Sequence, residues 1–279
     1  MNVFLDFLKV LVFGLVEGFT EWLPISSTGH LILVENIVHL DVSENFMNVF
    51  RVVIQLGAIL AVLVLYFRRL NPFDPKKKEP QRRATWHLWI KIIIACFPAA
   101  VVGLLLDGVL DRYLYSPYVV AAMLIIYGSL FIVLEKHNEY VNFPIKKVSQ
   151  ISYLNAFYIG LFQLLALIPG TSRSGATILG AMLLGCSRTA SSEFTFFLGI
   201  PVMFGASLLK ILHYGLMFPP LELFYMLAGI LISFAVSMYS IQFLLGYVKN
   251  HDFRFFGYYR ITLGVIVLIY FGLTAILGA

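Results

Sequence analysis

The chain has 279 residues, of which 60% are apolar and 13% charged, and its mean hydropathy is +0.87. Soluble domains carry about 25% charged residues, so these values exclude a soluble core and indicate an integral membrane protein. The net charge of +5 is concentrated in Arg68, Arg69, Lys76, Lys77, Lys78, Arg82, Arg83 and Lys91, the pattern of a cytoplasmic loop and not of a nucleic-acid-binding face.

The first apolar region, 4–38, is broken by the polar run Glu17-Gly18-Phe19-Thr20-Glu21-Trp22-Leu23-Pro24-Ile25-Ser26-Ser27-Thr28-Gly29-His30. No basic segment precedes it and Glu17 interrupts it, which argues against a cleaved signal peptide. Three uninterrupted runs follow, at 47–67, 88–106 and 117–134, each near the ~20 residues needed to span a bilayer. A second broken region, 153–187, contains Pro169-Gly170-Thr171-Ser172-Arg173-Ser174-Gly175-Ala176-Thr177, and spans at 190–212, 221–246 and 257–278 complete the chain. Irregular backbone at membrane depth is tolerated where protein or a cavity covers it. The expected architecture is therefore a single all-α membrane domain with six transmembrane helices and two re-entrant helical hairpins. The two cysteines, Cys96 and Cys186, read as small core residues rather than a disulfide or thiolate metal site.

Orientation follows from the loops. With 68–88 inside, alternation puts 135–152 and 247–256 on the same side. Counting Arg188 and Arg260 there, 15 of the 20 Lys and Arg residues are cytoplasmic, so alternation and charge agree. Lys9, Arg51, Arg112 and Lys210 fall toward the outer face, Arg173 stays at depth, and both termini are expected outside. Gly14, Glu17 and Gly29 map onto Gly160, Gln163 and Gly175 at one offset of 146, which also carries the span near Phe50 onto the span near Phe196. Each half, 1–135 and 150–279, reads as one broken hairpin and three spans. Three is odd, so the halves enter from opposite faces and their broken segments meet near the midplane, as in inverted-repeat membrane proteins.

Ionisable groups at membrane depth are costly and mark function. Glu17 and Glu21, four apart, share one helix face. Two close carboxylates need a proton or a divalent cation between them, unless both merely face water at a cavity mouth. His30 is a candidate nucleophile or general base. Ser26, Ser27 and Thr28 offer hydrogen bonds to phosphate oxygens, although a hydroxyl at a helix start also serves as a cap. Arg173, flanked by Thr171, Ser172, Ser174 and Gly175, has the composition of an anion cradle; the structural alternative is an ion pair with Glu17 or Glu21. Gly14 and Gly18 read as a close helix contact, and Gln55 and Gln163 as interhelical hydrogen-bonding groups.

At Glu17-x-x-x-Glu21, Pro24-x-Ser26-Ser27-Thr28-Gly29-His30, Val53-Ile54-Gln55-Leu56-Gly57 and Pro169 to Thr177, the chain resembles the bacterial undecaprenyl-diphosphate phosphatase family, the bacitracin-resistance proteins, over essentially its whole length. Thr171 stands where members often carry an aromatic. The resemblance implies hydrolysis of undecaprenyl diphosphate to undecaprenyl phosphate and inorganic phosphate. That reaction recycles the lipid carrier of cell-wall synthesis in the inner (cytoplasmic) membrane, and overproduction brings bacitracin resistance. It also implies a divalent cation and a site opening to the outer face; the Glu17 and Glu21 carboxylate pair can hold Mg2+ or Ca2+. The family's acidic motif falls on Glu17 and Glu21, its hydroxyl/histidine motif on Ser26 to His30 and its arginine motif on Arg173. In the expected mechanism Arg173, backbone N–H groups and the metal hold the diphosphate, His30 or Ser27 attacks the terminal phosphorus, and Glu21 orients or deprotonates the attacking group. The other reading from a different class is a polyprenyl-phosphate flippase using the same midplane site.

Overall fold

The computed structural model describes residues 3–114 and 116–277, with side chains at 106–113 and 276–277 left aside. The Arg112 side chain and the last residue of the sixth expected span lie outside what is described. Among the described residues the chain is helical, and the only β pairing is a single bridge between Ile145 and Cys186. Six helical stretches are long and apolar enough to cross a membrane: Glu44–Leu65, Glu79–Leu105, Pro117–His137, Arg188–Tyr214, Pro220–Asn250 and Arg254–Ala275. They coincide with the six expected spans.

The first broken region is helix α1 (Val3–Thr20), an irregular stretch, and α2 (Ser27–Ile37). The first span follows as α3 (Glu44–Val53) and α4 (Gln55–Leu65), interrupted at Ile54. A single turn, α5 (Phe67–Leu70), leads to α6 (Glu79–Leu114) and α7 (Pro117–His137). The second broken region is α8 (Tyr153–Leu164), a short 3₁₀ turn, a break, and α9 (Arg173–Leu183). Helices α10 (Arg188–Tyr214), α11 (Pro220–Asn250) and α12 (Arg254–Leu277) close the fold.

Local chemistry sets these boundaries. Ser43, Ser152 and Ser187 cap α3, α8 and α10 by accepting the N–H groups of Phe46, Asn155 and Ala190. Proline occupies the start of α7 and α11, where its missing N–H costs nothing. Gly215, at φ 77°, ends α10.

Each broken segment packs on a span from the other part of the chain: α1 lies on α11, and α8 on α6. Small residues set the approach, as in membrane helix pairs generally. A Cβ added at Gly18 would lie 2.6 Å from the Ser233 carbonyl oxygen, and one at Gly160 would lie 2.3 Å from that of Ala95. Helices α7 and α12 meet through Gly128 and Gly257, each closing on the other's carbonyl. The buried Glu135 carboxylate accepts from Arg188 and from the Phe253 N–H, tying together α7, α10 and the start of α12. Outward-facing Leu104, Leu105, Val133 and Leu212 are exposed, as lipid-facing side chains of a membrane bundle are. Cys96 and Cys186 are buried free thiols.

Arg260 departs from the charge-based expectation. It was counted with the cytoplasmic cations, yet it is fully buried. Its guanidinium donates to the carbonyls of Pro24 at 3.1 Å, Gly170 at 2.9 Å and Thr171 at 2.9 Å, and stands over the Tyr127 ring. A loop count cannot distinguish a solvated arginine from one that neutralises exposed backbone carbonyls inside the bundle.

Candidate active site

The two breaks share an unusual backbone device. Ser26 and Ser172, 146 positions apart, have φ of 74° and 72° and are the described non-glycine residues with positive φ. Such backbone costs on the order of 1–3 kcal/mol and persists where the surrounding structure enforces it. Each serine caps the helix that follows: Ser26 Oγ accepts from the Gly29 N–H at 3.3 Å, and Ser172 Oγ from the Gly175 N–H at 3.1 Å. The breaks are therefore sharp turns into α2 and α9, whose first residues come to one place.

That place is a cavity of about 140 Å³ whose polar lining includes Glu21, Ser27, Thr28, Gln55, Ser172 and Arg173. Ile168, Pro169, Val202 and Met203 contribute apolar walls. Arg173 Nη2 donates to Glu21 Oε1 at 2.9 Å, its Nη1 to the Thr195 carbonyl at 2.9 Å, and its guanidinium stacks over Trp22. Ser27 Oγ donates to the other Glu21 oxygen at 2.7 Å. One carboxylate thus holds the arginine of one break and the hydroxyl of the other. Ser174 Oγ lies 3.1 Å from the carbonyls of both Glu21 and Leu23, and 3.1 Å from Ser172 Oγ, so it fastens the first break to the second.

Six expected site residues, Glu17, Ser26, His30, Thr171, Ser174 and Gly175, lie outside this lining. His30 Nδ1 is 2.7 Å from the Ser26 carbonyl and must carry the proton, because a carbonyl only accepts. In the neutral ring Nε2 then accepts from the Tyr259 hydroxyl at 2.7 Å, and the two rings lie parallel. His30 therefore braces the strained Ser26 turn. Thr171 is buried with its hydroxyl unpartnered. Gly175 lies under Arg260, where a Cβ would come 3.1 Å from Nη1.

Glu17 sits one turn before Glu21, whose N–H donates to its carbonyl at 3.0 Å. It is fully buried, and neither carboxylate oxygen has a hydrogen-bond partner. An unpaired buried carboxylate is costly, and a carboxylate oxygen is the hard donor type that Mg2+ or Ca2+ takes. Among the described residues no group of three or more His, Cys, Asp and Glu gathers, so the remaining ligands would be hydroxyl, amide or phosphate oxygens.

A family model described as bacitracin resistance protein BacA matches residues 10–266. The chain belongs to that family. Curated relatives extend the match to nearly the full length. An undecaprenyl-diphosphatase of Desulfitobacterium hafniense is 54% identical over 274 residues, 98% of this chain and 99% of that protein. One of Streptococcus mutans is 54% identical over 272 residues, covering 96% and 97%. One of Enterococcus faecalis is 52% identical over 271 residues, covering 96% and 98%.

In this BacA-family chain three contributors to the site were not legible as such beforehand. Gln55, read as interhelical glue, lines the cavity at the interruption of the first span. Gly199 makes room for the arginine, since a Cβ there would lie 2.9 Å from Arg173 Nη2. Arg260 carried one available signal, a cation inside an apolar span.

Proposed function

We propose that this chain is an undecaprenyl-diphosphatase, hydrolysing undecaprenyl diphosphate to undecaprenyl phosphate and inorganic phosphate. It thereby recycles the lipid carrier of cell-wall synthesis and brings bacitracin resistance. The observation that carries this reading beyond family membership is the single cavity in which Glu21 joins Arg173 to Ser27. A diphosphate needs a cationic fork against its charge, and Arg173, a tenth exposed at the cavity, supplies a guanidinium there. The starts of α2 and α9 line the same cavity and bring their positive ends to the anion. The small cavity suits the headgroup, with the prenyl chain lying among the bundle's apolar surfaces.

The attacking group favoured by the geometry is Ser27. Its hydroxyl already donates to a carboxylate base within the cavity. Ser27 Oγ bonds to the terminal phosphorus, its proton passes to Glu21, and the bond from that phosphorus to the bridging oxygen breaks to release undecaprenyl phosphate. Water then cleaves the phosphoserine. Arg173 and the helix-start N–H groups stabilise charge on the transferring oxygens throughout. Glu17 and Glu21 are the residues that would hold a divalent cation, Mg2+ or Ca2+, which supplies charge neutralisation to the diphosphate when bound.

The topology proposed for this activity is an inverted repeat of 1–135 and 150–279, with 4–38 and 153–187 as re-entrant hairpins. The matched caps at Ser26 and Ser172 and the reciprocal packing of α1 on α11 and α8 on α6 support it. In the inner membrane the basic loops then face the cytoplasm, both termini lie outside, and the site opens outward. The relatives are hydrolases by name, and none of these observations favours moving the lipid across the bilayer. The test is phosphate release from undecaprenyl diphosphate by the purified chain. Wild type should be active, Glu21→Gln and Arg173→Ala nearly inactive, and a chelator inhibitory. Undiminished release by both variants would overturn the assignment.

A further inference from the structure

A second and much larger cavity, of about 770 Å³, lies where the 68–78 segment folds against the beginnings of α6 and α8. Its charged lining consists of Arg68, Arg69, Lys76, Lys77 and Lys91 against one acid, Asp74. Three of these cations are already engaged. Lys77 Nζ donates to the carbonyls of Arg69 and Asn71 and to Thr85 Oγ1, holding the segment in shape. Arg69 pairs with Glu193 at 2.8 Å, and Lys91 donates to the Ser149 carbonyl. Arg68 and Lys76 are exposed, and neither side chain has an ion pair or hydrogen bond among the described residues. The protein has thus built a rigid basic cup and left two cations at it uncommitted.

The surroundings separate a lipid headgroup from a free anion as the occupant. Phe67 is 61%, Phe73 76% and Trp86 48% exposed, and the Phe73 and Trp86 rings pack edge to face beside the cavity. Exposed aromatics at the end of an apolar span mark the headgroup level of a bilayer. Ala84 and the half-exposed Tyr153 ring give the same cavity an apolar side over the buried Leu88, Val148 and Ile151, a surface that free phosphate does not need and a glycerol backbone with its first acyl carbons does. Basic pockets between membrane helices bind phosphate-bearing headgroups by this combination.

We propose that this cavity is a binding site for the phosphate of an anionic phospholipid headgroup, with Arg68 and Lys76 as its charge-bearing contacts and Ala84 and Tyr153 against the glycerol end. The site is independent of the phosphatase reading, because none of its residues belongs to the Glu21–Arg173 cavity.

The full chain in neutral detergent is titrated with a phosphatidylglycerol, with a phosphatidylcholine of the same acyl chains, and with inorganic phosphate, and adducts are counted by native mass spectrometry. Phosphatidylglycerol should bind more tightly than phosphatidylcholine, and Arg68→Gln and Lys76→Gln should each weaken it about fivefold. The charge-retaining pair Arg68→Lys with Lys76→Arg should keep the preference, as should Lys136→Gln with Lys249→Gln, which removes equal charge elsewhere. Phosphate release by the Arg68→Gln/Lys76→Gln protein should match wild type, which shows that the variant is folded. Equal binding of the two lipids overturns the site, as does a preference untouched by Arg68→Gln/Lys76→Gln or lost equally with Lys136→Gln/Lys249→Gln. Inorganic phosphate binding as tightly as phosphatidylglycerol overturns the lipid as the source of the anion.

Discussion

Arg173 Nη2 lies 2.9 Å from Glu21 Oε1, across 152 positions of chain and between the two broken segments. The pair is about nine-tenths buried on both sides, so removing either partner leaves the other as an uncompensated charge. Arg173→Lys keeps the charge but loses the planar fork that reaches Glu21 and Thr195 together. It should lower kcat/KM by about 10²–10³, the range for losing a transition-state donor. The double variant Glu21→Gln/Arg173→Ala should be far less impaired than the product of the single effects, because the two act as one unit. Multiplicative losses in steady-state kinetics would show that they do not.

Ser27 and His30 part company in the structure, and kinetics should follow. Ser27→Ala removes the hydroxyl that donates to Glu21 inside the cavity and should abolish turnover. His30→Ala removes the brace on the Ser26 carbonyl and the contact with Tyr259, so activity should fall but stay measurable. Acid-quenched wild-type protein should yield phosphoserine. A phosphohistidine absent from His30→Ala would instead make His30 the nucleophile.

Arg260 should matter for stability before it matters for chemistry. Its guanidinium is fully buried, and its donors satisfy the carbonyls of Pro24, Gly170 and Thr171. Hydrogen bonds from a charged donor contribute about 1.5–3 kcal/mol each, so Arg260→Met should cost several kcal/mol. Thermal unfolding in detergent checks this, and an unchanged Tm would remove Arg260 as the staple between the breaks.

Gly199→Ala tests whether the arginine's placement is as tight as the geometry states. The added Cβ would come within 2.9 Å of Nη2, while Glu21, Thr195 and Trp22 hold the guanidinium in place. Small misplacements of a binding group can cost up to about 10²-fold in rate. We expect at least tenfold lower kcat/KM with little change in Tm. Wild-type kinetics in this variant would show that the side chain gives way freely.

Much of the architecture was written in the hydropathy of the chain. A bilayer demands long apolar helices whose backbone is satisfied internally, so spans such as 117–134 and 221–246 were visible without coordinates. An otherwise apolar sequence also makes Glu17, Glu21 and Arg173 conspicuous. The division of labour within the breaks was not visible. Ser26 and Ser27 are chemically identical neighbours, yet one caps α2 at positive φ and the other reaches Glu21.

From sequence alone came the membrane class, the six spans, the two polar breaks and the family motifs, because composition and local order determine burial in lipid. Only the tertiary structure decided that Glu21 joins Ser27 to Arg173, that His30 turns to Tyr259, and that Arg260 leaves the cytoplasmic count for the interior. Those outcomes depend on where two turns and three distant helices meet. Contacts across 152 to 236 positions leave no local pattern in the chain that makes them.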